Sequence, residues 1–232
     1  MDKLIDLIKK TNTEAYKQLG LHTFINPFSY LKIRKRGLLE SFDFIYVDGI
    51  FLVKILRLVG IKVNRNSFDM TSLAPKVFSD STKNSKNIYF IGSTENAIAR
   101  FAKVIGSGFP EMLIAGNRNG YFINEGEREE VIQNIVSLNP DVVIVGMGTP
   151  FQEKFLIDLK KGGWRGKGFT CGGFIHQTAK GLNYYPKFYN EYNLRWLYRI
   201  IDEPKLIKRY LLFYPLSICL FTFDFIRCKL TR

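Results

Sequence analysis

A chain of 232 residues with 46% hydrophobic content and a net charge of +13 can bury one sizeable core and calls for an anionic partner: a nucleotide, a nucleic acid or an anionic lipid surface. Its three cysteines, Cys171, Cys219 and Cys228, have no Cys-x-x-Cys spacing, which argues against a disulfide scaffold or a zinc module and fits a reducing compartment. The acidic start Met1-Asp2-Lys3-Leu4-Ile5-Asp6 does not read as a secretory signal, and no uncharged run of about 20 residues predicts a spanning helix.

Residues 1–20 read as a polar, partly helical lead-in. Leu21 to Ile25 predicts a first strand, ended by Asn26-Pro27, with a helix starting near Phe28. Phe42 to Val47 is a second strand, apolar enough to be central, with Asp48-Gly49 at its carboxyl end. Ile50 to Val59 has helical spacing, and Asp69 to Ala74 opens a further helix. Asn87 to Ile91 is the third strand, running into Gly92-Ser93-Thr94-Glu95-Asn96 and a helix over Ala97 to Val104. Met112 to Ala115 is a short strand before Asn117-Arg118-Asn119-Gly120-Tyr121, and Glu127 to Leu138 is an amphipathic helix.

Asp141 to Val145 is a β-branched, apolar run of the kind buried on both faces of a parallel sheet. It leads into Gly146-Met147-Gly148, then Thr149 as a helix cap, Pro150 in the first turn, and a helix from Phe151. A strand, a glycine turn and a helix N-terminus together make an anion site, read here as a nucleotide-diphosphate cradle; an ordinary β-α turn has the same local pattern. Gly168 to Cys171 is the last strand, followed by Gly172, Gly173, His176 and Gln177.

Alternating strands and helices from about residue 21 to 185 predict a Rossmann-like, doubly wound and mostly parallel α/β sheet. Ligands of such sheets bind beyond the carboxyl ends of the strands, where nearly every polar cluster above falls. The chain therefore divides into a core over 1–185 and a basic, apolar helical appendage over 186–232. In the appendage Arg195, Arg199, Lys205, Lys208 and Arg209 precede an apolar run, Tyr210 to Phe223, that Pro215 interrupts. That run suits peripheral attachment to an anionic membrane better than spanning. It also has the character of a packing helix of the core or of an oligomer interface.

Several of these strings occur together and in order: Val47-Asp48-Gly49, Phe90-Ile91-Gly92-Ser93 with Asn96, Gly120-Tyr121-Phe122, Pro140 to Lys154, and Leu194-Arg195-Trp196-Leu197-Tyr198-Arg199 followed by Glu203-Pro204 and Lys208-Arg209-Tyr210. Over roughly residues 20–212 the chain resembles the WecG/TagA/CpsF family of bacterial glycosyltransferases, glycosyltransferase family 26. The resemblance implies transfer, with inversion, of N-acetylmannosamine, its uronic acid or glucose from a UDP-sugar. The implied acceptor is a saccharide on a polyprenyl diphosphate, at the cytoplasmic face of the bacterial inner membrane, in cell-surface polysaccharide synthesis. It also implies that the aspartate of the Asp-Gly motif, Asp48, is the base.

Three positions depart from the family pattern. Phe24 stands where a threonine is common, with Thr23 one place earlier. His176 stands about where an aspartate is usual. Arg65-Asn66-Ser67-Phe68-Asp69 lacks the expected glycine. The donor sugar and the acceptor therefore stay open.

Inverting transfer needs a base for the acceptor hydroxyl and stabilisation of a departing diphosphate. Asp48 at a strand end suits the first role, although a turn aspartate before glycine is common. With no Asp-x-Asp and only two histidines, His22 and His176, the expectation is a metal-independent enzyme without cofactor. Candidate donor contacts are Asn26, Gly92, Asn96, Tyr121 (stacking on uracil), Gly146, Gly148, Gln152 and Glu153; Tyr121 also fits a core tyrosine, Asn96 a solvent-facing helix position, and Gln152 and Glu153 the ordinary preference of a helix's first turn. Candidate acceptor or diphosphate contacts are Arg65, His176, Gln177, Arg195, Arg199 and Arg209; the last three also fit a solvated helix face. A dinucleotide oxidoreductase fits poorly, because Gly146-Met147-Gly148 follows a late strand and lacks a third glycine. A basic nucleotide- or nucleic-acid-binding α/β module without transferase activity remains the alternative, but the basic residues cluster beside an apolar tail, which favours a membrane over nucleic acid.

Overall fold

The computed structural model describes residues 1–192 and 194–230, so Asn193 and the last two positions of the expected appendage lie outside the described residues. The strands are β1 (Gly20–Ile25), β2 (Phe44–Val47), β3 (Asn87–Gly92), β4 (Leu113–Arg118), β5 (Val142–Gly146) and β6 (Lys167–Thr170). The helices are α1 (Asp2–Lys10), α2 (Pro27–Ile33), α3 (Ile50–Leu58), α4 (Ala74–Lys83), α5 (Glu95–Gly108), α6 (Glu125–Leu138), α7 (Phe151–Lys161), α8 (Phe174–Thr178), α9 (Lys187–Glu191), α10 (Arg195–Asp202) and α11 (Tyr214–Leu230).

All six strands are parallel, in the order β2-β1-β6-β5-β3-β4. β5 is buried at every position: Val143 and Val145 join the core beneath α1, α2, α3, α6 and α7, while Val142 and Ile144 join the core beneath α4, α5 and α8. This two-sided burial is what its β-branched sequence requires. Chains leaving β1, β2 and β5 cross to the first layer, and those leaving β3 and β6 to the second. The divergence opens clefts at the carboxyl edge between β1 and β6 and between β5 and β3.

Four local expectations are corrected. Residues 2–10 are an amphipathic helix of the core, with Leu4, Ile5 and Ile8 buried, because their apolar residues recur at helical spacing despite the flanking lysines. The helix expected from Asp69 begins at Ala74, since the Asp69 carboxylate instead accepts from the Thr71 N–H and holds a turn. Thr149 does not cap α7: its hydroxyl donates to Glu153 and Pro150 occupies the capping position. Pro215 does not end the C-terminal helical stretch, which continues to Leu230; the change of backbone geometry falls just before it, in the π-helical turn Arg209–Phe213.

Residues 204–230 form a helical stretch long and apolar enough, by length and composition, to cross a membrane. One face of it is nonetheless docked on the body. Phe221 and Phe225 are buried in the first core, Ser217 donates to the Pro27 carbonyl, and Asp224 takes two bonds from Arg34 at 2.5 and 2.8 Å and one from the Tyr30 hydroxyl at 2.5 Å.

Candidate active site

Asp48 follows β2 directly. Its N–H donates to the Ile25 carbonyl at 2.7 Å, which ties the ends of β1 and β2 together. Gly49 follows at φ 87, a left-handed conformation that glycine adopts without strain, and starts α3. Arg65 is strapped beside the same strand end: Val47 and Arg65 form a parallel bridge, and the Asn66 N–H donates to the Val47 carbonyl.

The next loop is organised by Asp69. Its carboxylate accepts from the Ser67 hydroxyl (2.7 Å), the Thr71 N–H (2.8 Å) and the Thr71 hydroxyl (2.5 Å). It also pairs with Arg195 of α10 at 3.0 Å. Ser67 in turn accepts from Arg65, so one carboxylate orients two arginines. Arg199, one turn along α10, lies against Gly173 and pairs with Glu203 at 3.5 Å. Arg209 donates to Asn26 Oδ1 at 3.2 Å, the atom that also caps α2 through the Ser29 N–H.

These groups surround a cavity of about 280 Å³ over the carboxyl ends of β1, β2, β5 and β6. Its lining brings together the predicted Asn26, Asp48, Arg65, Gly148, Gln152, Gln177, Arg195, Arg199 and Arg209. Gly146 and Tyr121 line a second cavity of about 1050 Å³, in the cleft between β5 and β3. The Gly146–Gly148 turn therefore forms the wall between the two.

The other predicted site residues line neither cavity. Gly92 is where β3 passes β5, and a Cβ there would lie 2.4 Å from the Gly146 carbonyl oxygen. Asn96 is exposed in the first turn of α5, and His176 is exposed on α8. Glu153 is fully buried beneath the first cavity, where its Oε1 accepts from the Thr149 hydroxyl (3.0 Å) and the Gln152 amide (3.1 Å). Gln152 Oε1 accepts from the Gly172 N–H at 3.0 Å, so both ends of the Gln152 amide are fixed.

The electrostatics follow from this packing. Burial pushes the Asp48 carboxyl above the usual carboxylate range; Arg65 opposes the shift, Asp69 adds to it, and Arg195 and Arg199 oppose it. Burial likewise raises Glu153, against the bonds from Gln152 and Thr149. Arg195, Arg199 and Arg209 each keep a buried Nε without a protein partner. Asp69, Thr149 and an aromatic wall of Phe28, Phe51, Trp196, Tyr210 and Tyr214 also line the first cavity, and sequence reasoning did not assign them to the site. For Asp69, the hydroxyl residues two positions away on either side, Ser67 and Thr71, were the available signal.

A carboxylate of raised proton affinity that shares one cavity with four arginines makes a site able to deprotonate one group while holding an anion. Over residues 1–231 the chain matches the model of the Glycosyl transferase WecG/TagA/CpsF family. It is 37% identical over 218 residues, 93% of this chain and 92% of the relative, to the UDP-Gal:alpha-D-GlcNAc-diphosphoundecaprenol beta-1,4-galactosyltransferase of Shigella boydii. It is 29% identical over 200 residues, 85% of this chain and 73% of the relative, to the N-acetylglucosaminyldiphosphoundecaprenol N-acetyl-beta-D-mannosaminyltransferase of Bacillus spizizenii. The chain belongs to the WecG/TagA/CpsF family and is a glycosyltransferase. This match supports sugar transfer and not the alternative of a binding module without activity.

Proposed function

We propose that this enzyme moves a hexose from a UDP-sugar to a saccharide carried on a polyprenyl diphosphate, with Asp48 as the base. The observation that carries the reading is that Asp48 lines one cavity together with Arg65, Arg195, Arg199 and Arg209. The donor lies across the Gly146–Gly148 turn, with uridine in the larger cleft against the exposed Tyr121 ring and the sugar beside Gln152 and Asp48. The acceptor diphosphate lies on the arginines. Asp48 takes the proton of the acceptor hydroxyl as that oxygen bonds to the anomeric carbon. The bond from this carbon to the diphosphate breaks, and UDP leaves with its electron pair.

We propose that no metal takes part. The backbone N–H groups of the Gly146–Gly148 turn and the N-terminus of α7, over which the donor diphosphate lies, support this, because they neutralise its charge without an ion.

The enzyme works as a peripheral protein at the cytoplasmic membrane face, with α11 lying in the interface. One side of α11 is packed on α2, while Leu216, Phe223, Ile226 and Leu230 are exposed beside Arg227 and Lys229. Flotation with anionic but not neutral liposomes is the expected result, and indifference to both would refute the attachment.

The relatives' names widen the donors to be tried: galactose, named for the Shigella boydii protein, is outside the set that the motifs suggested. The test is a panel of UDP-galactose, UDP-glucose and UDP-N-acetylmannosamine with N-acetylglucosamine on a lipid diphosphate, reading UDP release and product mass. One donor should give a product heavier by its own sugar residue, a hexose or an N-acetylhexosamine. UDP release without acceptor glycosylation for every donor would overturn the reading.

A further inference from the structure

The first cavity has two unlike walls. Arg195, Arg199 and Arg209 form one, and Phe28, Phe51, Trp196, Tyr210 and Tyr214 form the other. The rings make a continuous surface: Phe51 to Trp196 is 6.1 Å between centroids, Phe51 to Tyr214 is 6.2 Å, Trp196 to Tyr210 is 6.1 Å and Tyr210 to Tyr214 is 4.7 Å. Arg209 joins the walls, its guanidinium lying 4.3 Å over the Phe28 ring and 5.9 Å from that of Tyr214. Phe51 is 37% exposed at the outer edge, and the chain after Tyr210 runs directly into the exposed Leu211, Leu212 and Phe213.

Aromatic rings also stack on sugar faces, but this wall continues outward into the exposed Leu211, Leu212 and Phe213, which suits a hydrocarbon. A molecule with a diphosphate bonded to a hydrocarbon needs both walls, in contact and in this order. We propose that the aromatic wall is the exit port of the acceptor's isoprenoid chain, binding the units next to the diphosphate and passing the rest outward over Leu211 and Leu212. This rests on the lipid-diphosphate acceptor proposed above and adds where its hydrocarbon lies. The port makes the enzyme selective for the lipid as well as for the saccharide, because isoprenoid units gain apolar contact that a short alkyl group cannot make. The rival occupant of an aromatic wall is the donor's uracil base, and the same experiment separates the two.

Two acceptors are compared, N-acetylglucosamine diphosphate esterified with farnesol or with methanol, on the wild type, Phe51→Ala and Trp196→Phe. The quantity read is the ratio of the two kcat/KM values, which partial misfolding does not change. The wild type should prefer the farnesyl acceptor by roughly 10-fold or more, a modest share of what burying three isoprenoid units is worth. Phe51→Ala should reduce that ratio by roughly 5- to 10-fold, and Trp196→Phe by less, with the KM for UDP-sugar unmoved. A wild-type ratio near one, or a ratio unchanged in Phe51→Ala, overturns the port. A raised KM for UDP-sugar at an unchanged ratio overturns it too and assigns the wall to the base. Transfer to neither acceptor by the wild type would overturn the lipid-diphosphate reading itself.

Discussion

Asp69→Asn tests whether the arginine wall is set by one buried carboxylate. The substitution keeps the shape of the side chain and removes the charge that holds Arg195 at 3.0 Å. Asp69 and Arg195 are only 14% and 15% exposed, so solvent screens the pair weakly. A hydrogen bond between charged groups is worth about 1.5–3 kcal/mol. Arg195 keeps the Thr71 hydroxyl as a partner, which places the loss near the lower part of that range, about 2 kcal/mol. That corresponds to roughly 30-fold in kcat/KM for the acceptor, since Arg195 belongs to the wall assigned to the acceptor diphosphate. The KM for UDP-sugar should move by less than about threefold. The pH profile supplies an independent check. Asp48 must be ionised to act, and the Asp69 charge raises its proton affinity, so removing that charge moves the acid limb of kcat/KM to lower pH. Initial rates of UDP release at varied acceptor, donor and pH measure all three effects. Equal losses for donor and acceptor, or an acid limb that moves upward, would refute the reasoning.

Gly148→Val places a branched residue at φ +75, where L side chains are strained, although no heavy atom lies within 4 Å of its Cβ; thermal melts should show a loss of about 1–2 kcal/mol together with loss of turnover. Asp224→Asn breaks the bidentate pair that docks α11 on α2 and should cost about 2 kcal/mol at neutral pH by denaturant titration. Burial works to raise Asp224, but the bonds from Arg34 and Tyr30 hold it below the usual range, so its contribution is present above the ordinary carboxylate pKa and fades as pH falls through its own; the wild type and Asp224→Asn should converge in acid. Turnover should be unchanged by EDTA, and loss of activity that Mn²⁺ restores would contradict the metal-free reading.

The sheet was legible because β5 and β2 are apolar at consecutive positions, which only two-sided burial explains. Asp48, Arg65, Gln152 and the three appendage arginines were legible as types at strand ends or in a basic run, and the fold gathers them around one cavity. Sequence periodicity carried less about what lies underneath. Glu153 looks like a ligand contact in a helix's first turn, yet it is a buried strut for Thr149 and Gln152, because its burial comes from the sheet strands β1, β5 and β6 packed against α7 and not from the local sequence. Asp69 looked like a helix start because a turn aspartate and a capping aspartate are the same residue locally. The two-walled character of the cavity was invisible because Phe28, Phe51, Trp196 and Tyr214 come from four separate stretches of chain that only the docking of α10 and α11 brings together.

The most direct test of the account is single-turnover transfer by Asp48→Asn, measured beside UDP binding and thermal stability. Losing the base should slow transfer by about 10²–10⁴-fold, with UDP affinity retained. Because the folded protein holds Asp48 above its unfolded pKa, its carboxylate costs stability once the pH rises past that pKa, so Asp48→Asn should melt no lower than the wild type at neutral pH. A slow, stable enzyme that still binds UDP is the predicted result; near-normal transfer by Asp48→Asn would contradict the mechanism.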